Sequence, residues 1–454
     1  MTIPAASHYS SRTTAGSATE LAESWRRCGR EDPLHAVITW NDHADREALL
    51  ADTEASNGIR RSALHGRLIM LKDNIDTAGL RTTAGAGFWS DRVPDEDAEV
   101  VRVLRRSGLV IGAKTNMSEV ALGASNANAA FGDCRNPWDP DRISGGSSGG
   151  SAVAVAANYC QLSLGTDTGG SIRIPASLTG VLGLRPSFGR ISTLGVIPLS
   201  PAQDVVGPMG REARLVATLT DILTTGNWSD GRPFQSATAL IGRPLSGTVV
   251  GVVREFGSTE VVQMVQSAVE EFAEVLAQLG AVVRDLSIPD WSDAAPIWSA
   301  IAQREGAVFF SERLDVSPED FAPDVLSRLQ QGSRVSAGEF ESALKEREAF
   351  RARMRSRFVS VDAILSPTTP TTAPRRDSPA EQQASVGALV HPWALHDGPT
   401  LSIPAGFGPP GLPIGVSLTA SYGNEALLFQ LAQAYQQTTL QHVTTPPRER
   451  WLHS

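Results

Sequence analysis

Two segments rich in glycine and serine hold the residues best able to do chemistry: SGGSSGGS at 144–151 and GTDTGGS at 165–171. Glycine lets backbone N–H groups approach a ligand closely, as phosphate cradles, nucleophile elbows and oxyanion holes all require. A P-loop needs GxxxxGK[ST], and no lysine follows either segment; neither reads GxGxxG after a strand, so phosphate and dinucleotide binding are disfavoured. Gly145-Gly-Ser-Ser-Gly149 matches the GxSxG elbow of α/β-hydrolases, which makes Ser147 a candidate nucleophile. That reading asks for a later acid and then a histidine, for which His391 and His396 are available. Taken singly, such segments are more often plain loops than active sites. Lys72, at the end of an apolar run, is by itself an ordinary surface charge.

Taken jointly, these residues form a pattern. The stretch 145–187 (GGSSGGSAVAVAANYCQLSLGTDTGGSIRIPASLTGVLGLRPS) resembles the defining segment of the amidase signature family. LKDNID (71–76), AKTNMSE (113–119), RNPWDP (135–140), GRIS (189–192) and GPM (207–209) are similar to that family as well, and the likeness returns weakly at GLPIGVSL (411–418). The resemblance implies a Ser–Ser–Lys set in which Ser171 is the nucleophile, Ser147 a proton relay after a cis Gly146–Ser147 peptide, and Lys72 the base. The chemistry is sound. A serine hydroxyl needs a base beside it, and a lysine serves only when its site disfavours the ammonium form. The resemblance further implies an oxyanion hole from the backbone N–H groups of Thr168, Gly169 and Gly170 with that of Ser171. Asp167 and Arg173 are expected to hold this turn as an ion pair or through backbone hydrogen bonds. Ala121, and with it Ser148, are expected to face the substrate.

The expected reaction is hydrolysis of a carboxamide C–N bond in a small-molecule substrate through an acyl-serine, with no cofactor and no metal. Alternatives are a glutamine-hydrolysing amidotransferase subunit, a urea- or carbamoyl-type amide hydrolase, and a binding protein that keeps the fold without catalysis. Under the resemblance, His391 and His396 become ordinary loop histidines. Asp73 and Asp76 read as a polar turn, and Cys134 as a small buried residue. Arg185 and Ser187 stand where the family often has lysine and threonine. A homodimer is a family-wide prior.

The elements that must position these residues follow from periodicity. Arg67–Leu71 reads as a strand stopping at Lys72, the run from Glu99 to Arg106 as a helix closed by Gly108, and Leu109–Ala113 as a second strand. Strand, helix, strand is the grammar of a parallel or mixed sheet with helical crossovers, and the resemblance implies an α/β fold: one large domain with a central mixed, mostly parallel twisted sheet covered by helices on both faces. Ala152–Asn158 predicts a short helix packed closely on that sheet. Farther on, Thr248–Val253 reads as a strand. Val262, Val265, Val269, Phe272, Leu276 and Leu279 form one stripe of a helix ended by Gly280. Residues 290–360 read as mostly helical, Asp362–Leu365 and Gly411–Ser417 as strands, and 424–436 as a last helix. The division expected is a helical or flexible lead-in over 1–60 and an amidase domain over 61–454. Within it, 61–225 is the catalytic core, 230–360 a variable substrate-side region and 361–454 the return to the sheet.

Composition agrees with an enzyme of this kind. The 454 residues are 41% hydrophobic, enough for a large core. Forty Lys and Arg against 49 Asp and Glu leave a net charge of −9, without the basic block that nucleic-acid binding needs. Cys28, Cys134 and Cys160 form no CxxC pair, which argues for a reducing compartment. No stretch is long and apolar enough to act as a signal peptide or membrane span, so the cytoplasm is expected.

Overall fold

The structure, a computed structural model, describes residues 32–224 and 234–451. Its strands in chain order are β1 Val37–Trp40, β2 Leu68–Lys72, β3 Val110–Thr115, β4 Arg135–Asn136, β5 Asp139–Ile143, β6 Leu162–Asp167 and β7 Leu182–Arg185. They continue with β8 Val205–Gly210, β9 Val249–Val252, β10 Val282–Asp285, β11 Ala363–Pro367, β12 Thr400–Gly408 and β13 Leu412–Ala420. The helices used below are α1 Ala44–Ser56, α2 Glu99–Arg106, α3 Gly149–Ala156, α4 Arg173–Thr179, α5 Ala213–Leu223 and α6 Gln263–Gln278. Then come α7 Ala294–Phe309, α8 Pro323–Arg334, α9 Ala337–Arg357, α10 His391–Leu395 and α11 Glu425–Thr438.

Among the described residues, eleven strands form one sheet in the order β1-β3-β2-β6-β8-β7-β12-β13-β11-β9-β10. The single α/β domain with a mixed sheet is as expected; the pairing within it differs. Parallel pairs flank the sheet, β3 with β2 and β2 with β6 on one side, β11 with β9 and β9 with β10 on the other. The pairs between them are antiparallel, as is β1 with β3, so antiparallel pairing predominates where a mostly parallel sheet was expected. Helical crossovers such as β2–α2–β3 and β9–α6–β10 build the parallel flanks, and these were the units visible as periodicity. The centre includes the tight β12–β13 hairpin, which can only run antiparallel. β1 corrects the lead-in boundary at residue 60, because it is an edge strand whose neighbours Leu34 and Ala36 are buried. Of the lead-in, residues 1–31 lie outside the described residues.

The alternation of β2 shows the two faces. Ile69 and Leu71 join the larger core, with Val101 and Leu104 of α2, Val216 and Leu219 of α5 and Phe272 of α6. Leu68 and Met70 join the smaller core, with Ala48 of α1 and Val153 of α3. Lys72 falls in step with Leu68 and Met70, on the α3 face. α3 packs tightly there because its first turn is glycine: a Cβ at Gly150 would lie 2.4 Å from Ala36 O and Asn116 N. Gly280, with φ +99°, ends α6 as expected, and 290–360 is helical through α7, α8 and α9. A capping box between Ser336 and Glu339 starts α9.

Candidate active site

Neighbouring strands β2, β6 and β8 end together, and those ends carry Lys72, the Thr166–Asp167 pair and Asp204 just before Val205. Lys72 is fully buried. Its Nζ lies 2.7 Å from Ser147 Oγ, 2.8 Å from Thr166 Oγ1 and 3.4 Å from Thr166 O. An ammonium group has three protons for these three oxygens. The neutral amine keeps two for Thr166 and turns its lone pair to the Ser147 hydroxyl. Burial pushes the Lys72 pKa down from 10.5 to about 7, against the carboxylates of Asp204 and Asp167, which favour the charged form.

Ser147 sits in the loop that leads into α3, after a cis Gly146–Ser147 peptide. The loop is fixed at both ends: Gly146 N donates to Ala124 O at 2.7 Å, and Ser118 N donates to Ser147 O at 3.2 Å. Ser148 N donates to Ser171 O at 3.0 Å, which ties the two serine segments together. The Ser171 hydroxyl opens onto a cavity of about 220 Å³ and makes no hydrogen bond among the described residues. Lys72 and Ser147 are thus in contact, whereas Ser171 stands beside them without a hydrogen bond to Ser147.

The turn before Ser171 is held by Asp167. Its Oδ1 accepts from Gly170 N at 2.8 Å and its Oδ2 from Ile172 N at 3.2 Å. Arg173 grips both oxygens, Nε to Oδ2 at 2.9 Å and Nη2 to Oδ1 at 3.0 Å. Both expected modes, ion pair and backbone bonds, are present. Arg185 is a second cation on Asp167, with Nη1 3.2 Å from Oδ1, a contact that the reading of Arg185 as a plain replacement missed. Burial alone would raise the Asp167 pKa, but the two guanidinium groups hold it well below the carboxylate range. Gly170, at φ +120°, takes a conformation natural to glycine, and its N–H is already given to Asp167. The N–H groups of Gly169 and Ser171 have no such partner among the described residues.

Other expected residues fall as follows. Ala121 lines the cavity. Ser148, expected at the substrate, is corrected: its buried hydroxyl donates to Thr166 O at 3.1 Å and accepts from Thr166 N at 3.3 Å. Asp73 faces the buried Lys114 and accepts from Thr83 N at 2.9 Å, while Asp76 pairs with Arg92 at 2.6 Å. Cys134 is buried, which pushes its thiol pKa up. His396 faces Ala420 O at 3.0 Å. Since Ser147 is bonded to Lys72 instead, the histidine-based GxSxG triad finds no support here.

Three further residues reach this region from distant elements, and two of them, Trp298 and Asp204, escaped the sequence reading. Trp298 of α7 covers Gly169 and donates from Nε1 to Thr168 O at 3.0 Å. Asp204 accepts from the Thr168 hydroxyl at 2.5 Å and from the N–H groups of Leu199 and Ser200 at 2.9 Å. His391, taken for a loop histidine, lies on the cavity wall.

The chain is similar to known proteins along most of its length. A family model described as Amidase matches residues 21–429. The chain belongs to the amidase family. It is 36% identical, over 91% of its length and 92% of the relative's, to a glutamyl-tRNA(Gln) amidotransferase subunit of Pseudomonas aeruginosa. The corresponding subunit of Thermosynechococcus vestitus is 33% identical over 95% and 96%. Among solved structures, the peptide amidase of Stenotrophomonas maltophilia superposes with a TM-score of 0.82 at 29% identity, covering 96% of both chains. A 6-aminohexanoate cyclic dimer hydrolase reaches 0.87 at 26% identity, covering 96% and 97%. As a member of the amidase family, the chain has the fold and the reaction class of enzymes that act on amide C–N bonds. No helix among the described residues is long and apolar enough to cross a membrane.

Proposed function

We propose that the protein is a free-standing amidase that hydrolyses small carboxamides with Ser171 as nucleophile. The observation that carries this reading is a fully buried Lys72, its pKa lowered to about 7, in contact with Ser147, the residue that follows Gly146 in the wall of the cavity that Ser171 lines. Neutral Lys72 takes the Ser147 proton while Ser147 takes that of Ser171, whose Oγ bonds to the amide carbon. The resulting oxyanion is met by backbone N–H groups, those of Gly169 and Ser171 being uncommitted. Collapse breaks the C–N bond, and the proton returns through Ser147 to the leaving amine. Water then repeats the sequence on the acyl-Ser171 ester, releasing the acid.

A second reading, a glutamine-hydrolysing amidotransferase subunit, is favoured by the 36% identity to such a protein. The isolated chain separates the two: turnover of simple amides without any partner supports the first, and glutamine hydrolysis only in a complex supports the second. In either case a fluorophosphonate should label Ser171, and a Ser171→Ala protein that still hydrolysed amides would sink both. Buried free thiols at Cys134 and Cys160 support a reducing compartment such as the cytoplasm.

A further inference from the structure

His391 lies on the wall of the Ser171 cavity, and neither of its ring nitrogens has a hydrogen-bond partner among the described residues. The ring is nonetheless fixed. It rests against the Trp298 indole with centroids 4.6 Å apart at 38°, and Trp298 is pinned by its bond to Thr168 O. The preceding carbonyl, Val390 O, accepts from Arg173 Nη1 at 3.0 Å. A histidine this well ordered, with an unmet hydrogen-bonding edge beside a nucleophile, is placed to meet a ligand.

Its tautomer follows from burial. Nδ1 is shut off from solvent and unpartnered. An orphaned buried N–H is rarer in proteins than an orphaned acceptor, so the single proton of the neutral ring belongs on Nε2, the nitrogen left for the cavity. Burial first, and then the Arg173 charge, lower the His391 pKa to about 4, opposed by Asp167. At neutral pH the ring therefore acts as an uncharged donor.

Besides Thr168, Ser171 and the Trp298 indole, this wall carries Arg328 of α8, whose guanidinium can only donate and has no hydrogen bond or ion pair among the described residues. No described residue lining the cavity is acidic. An adjoining chamber of about 350 Å³ shares Leu122, Trp298 and Arg328 and adds Asp324, one turn before Arg328 on α8. Close to Ser171, then, the side chains offer donors to an oxygen-rich group and no counter-charge to an ammonium group.

We propose that His391 is a specificity-determining residue that donates from Nε2 to an oxygen of the bound acyl group, so that the cavity selects acyl groups ending in a carboxylate. The substrates would be monoamides of short dicarboxylic acids. The proposal rests on the amide-hydrolase reading above and deepens it. It carries a signature that packing alone would lack: a carboxylate placed beside His391 stabilises the imidazolium, so binding at acidic pH draws in a proton.

The test is calorimetric and needs no turnover. Ser171→Ala protein is titrated at pH 5 with succinate, glutarate and adipate, and with butyrate as control, in two buffers of different ionisation heat. At least one dicarboxylate should bind tenfold or more tightly than butyrate and take up a proton. Adding His391→Phe should abolish the uptake and lower affinity about tenfold, while His391→Gln, which keeps a donor that cannot titrate, should recover affinity without uptake. Dicarboxylates binding no better than butyrate, unchanged affinity and uptake in the phenylalanine variant, or uptake persisting in the glutamine variant would each overturn the proposal. A wild-type Ser171 that resists fluorophosphonate would refute the hydrolase reading and leave this binding result to stand on its own.

Discussion

Replacing Lys72 with methionine should abolish activity and yet stabilise the protein below neutral pH. The amine is fully buried and its pKa falls from 10.5 to about 7, so the unfolded chain binds a proton that the folded chain does not between those two values. Wild-type stability therefore rises with pH across that window. Below about pH 7 the folded protein carries the whole penalty, on the order of 5 kcal/mol for a displacement of that size; above 10.5 it carries none. Methionine fills a similar volume and escapes the penalty, but it loses the contacts to Ser147 Oγ and Thr166 Oγ1. Those losses cost about 2–3 kcal/mol at every pH. The variant should be more stable than wild type by roughly 2 kcal/mol at pH 6 and less stable by a similar margin at pH 10.5. Lys114, lowered by burial to about 8, titrates equally in both proteins and cancels in the comparison. Thermal midpoints measured side by side across this range would show the crossing. A difference of constant sign from pH 6 to 10.5 would mean that burial does not hold Lys72 neutral.

Three further expectations concern the same site. Because Lys72 acts only when neutral, fluorophosphonate labelling of Ser171 should slow below pH 7, approaching tenfold per pH unit; Asp204→Asn, which removes an anion that favours the ammonium form, should move this limb to lower pH. A rate flat down to pH 5, or a limb moved upward, would contradict the role given to Lys72. Asp167→Asn strips the counter-charge from buried Arg173 and Arg185 and should destabilise the protein by about 3–5 kcal/mol, read as a lowered midpoint together with lost labelling. Gly169→Ala puts a Cβ 2.4 Å from the Trp298 ring and should lower kcat on the order of a hundredfold by displacing the turn. Adding Trp298→Leu should recover part of that loss, and no recovery would mean that the indole is not what excludes a side chain there.

What the sequence determined by itself was what short-range order encodes. The Lys72 strand end, the 99–106 and 262–279 helices with their closing glycines, and the serine segments can all be read locally, since periodicity, caps and motif spacing are properties of neighbouring residues. The tertiary structure alone decided the rest. Asp204 and Trp298 reach the Ser171 turn from separate elements, and nothing in their own neighbourhoods marks them; Arg185 and His391 were visible in the chain, but not the contacts they make. The antiparallel centre of the sheet was hidden for the same reason, because strand direction depends on how distant strands meet. Lys72 shows the division most clearly. Its position was legible in the chain, but a lysine becomes a base only when desolvation outweighs its neighbouring carboxylates, and desolvation comes from the whole packed interior around it.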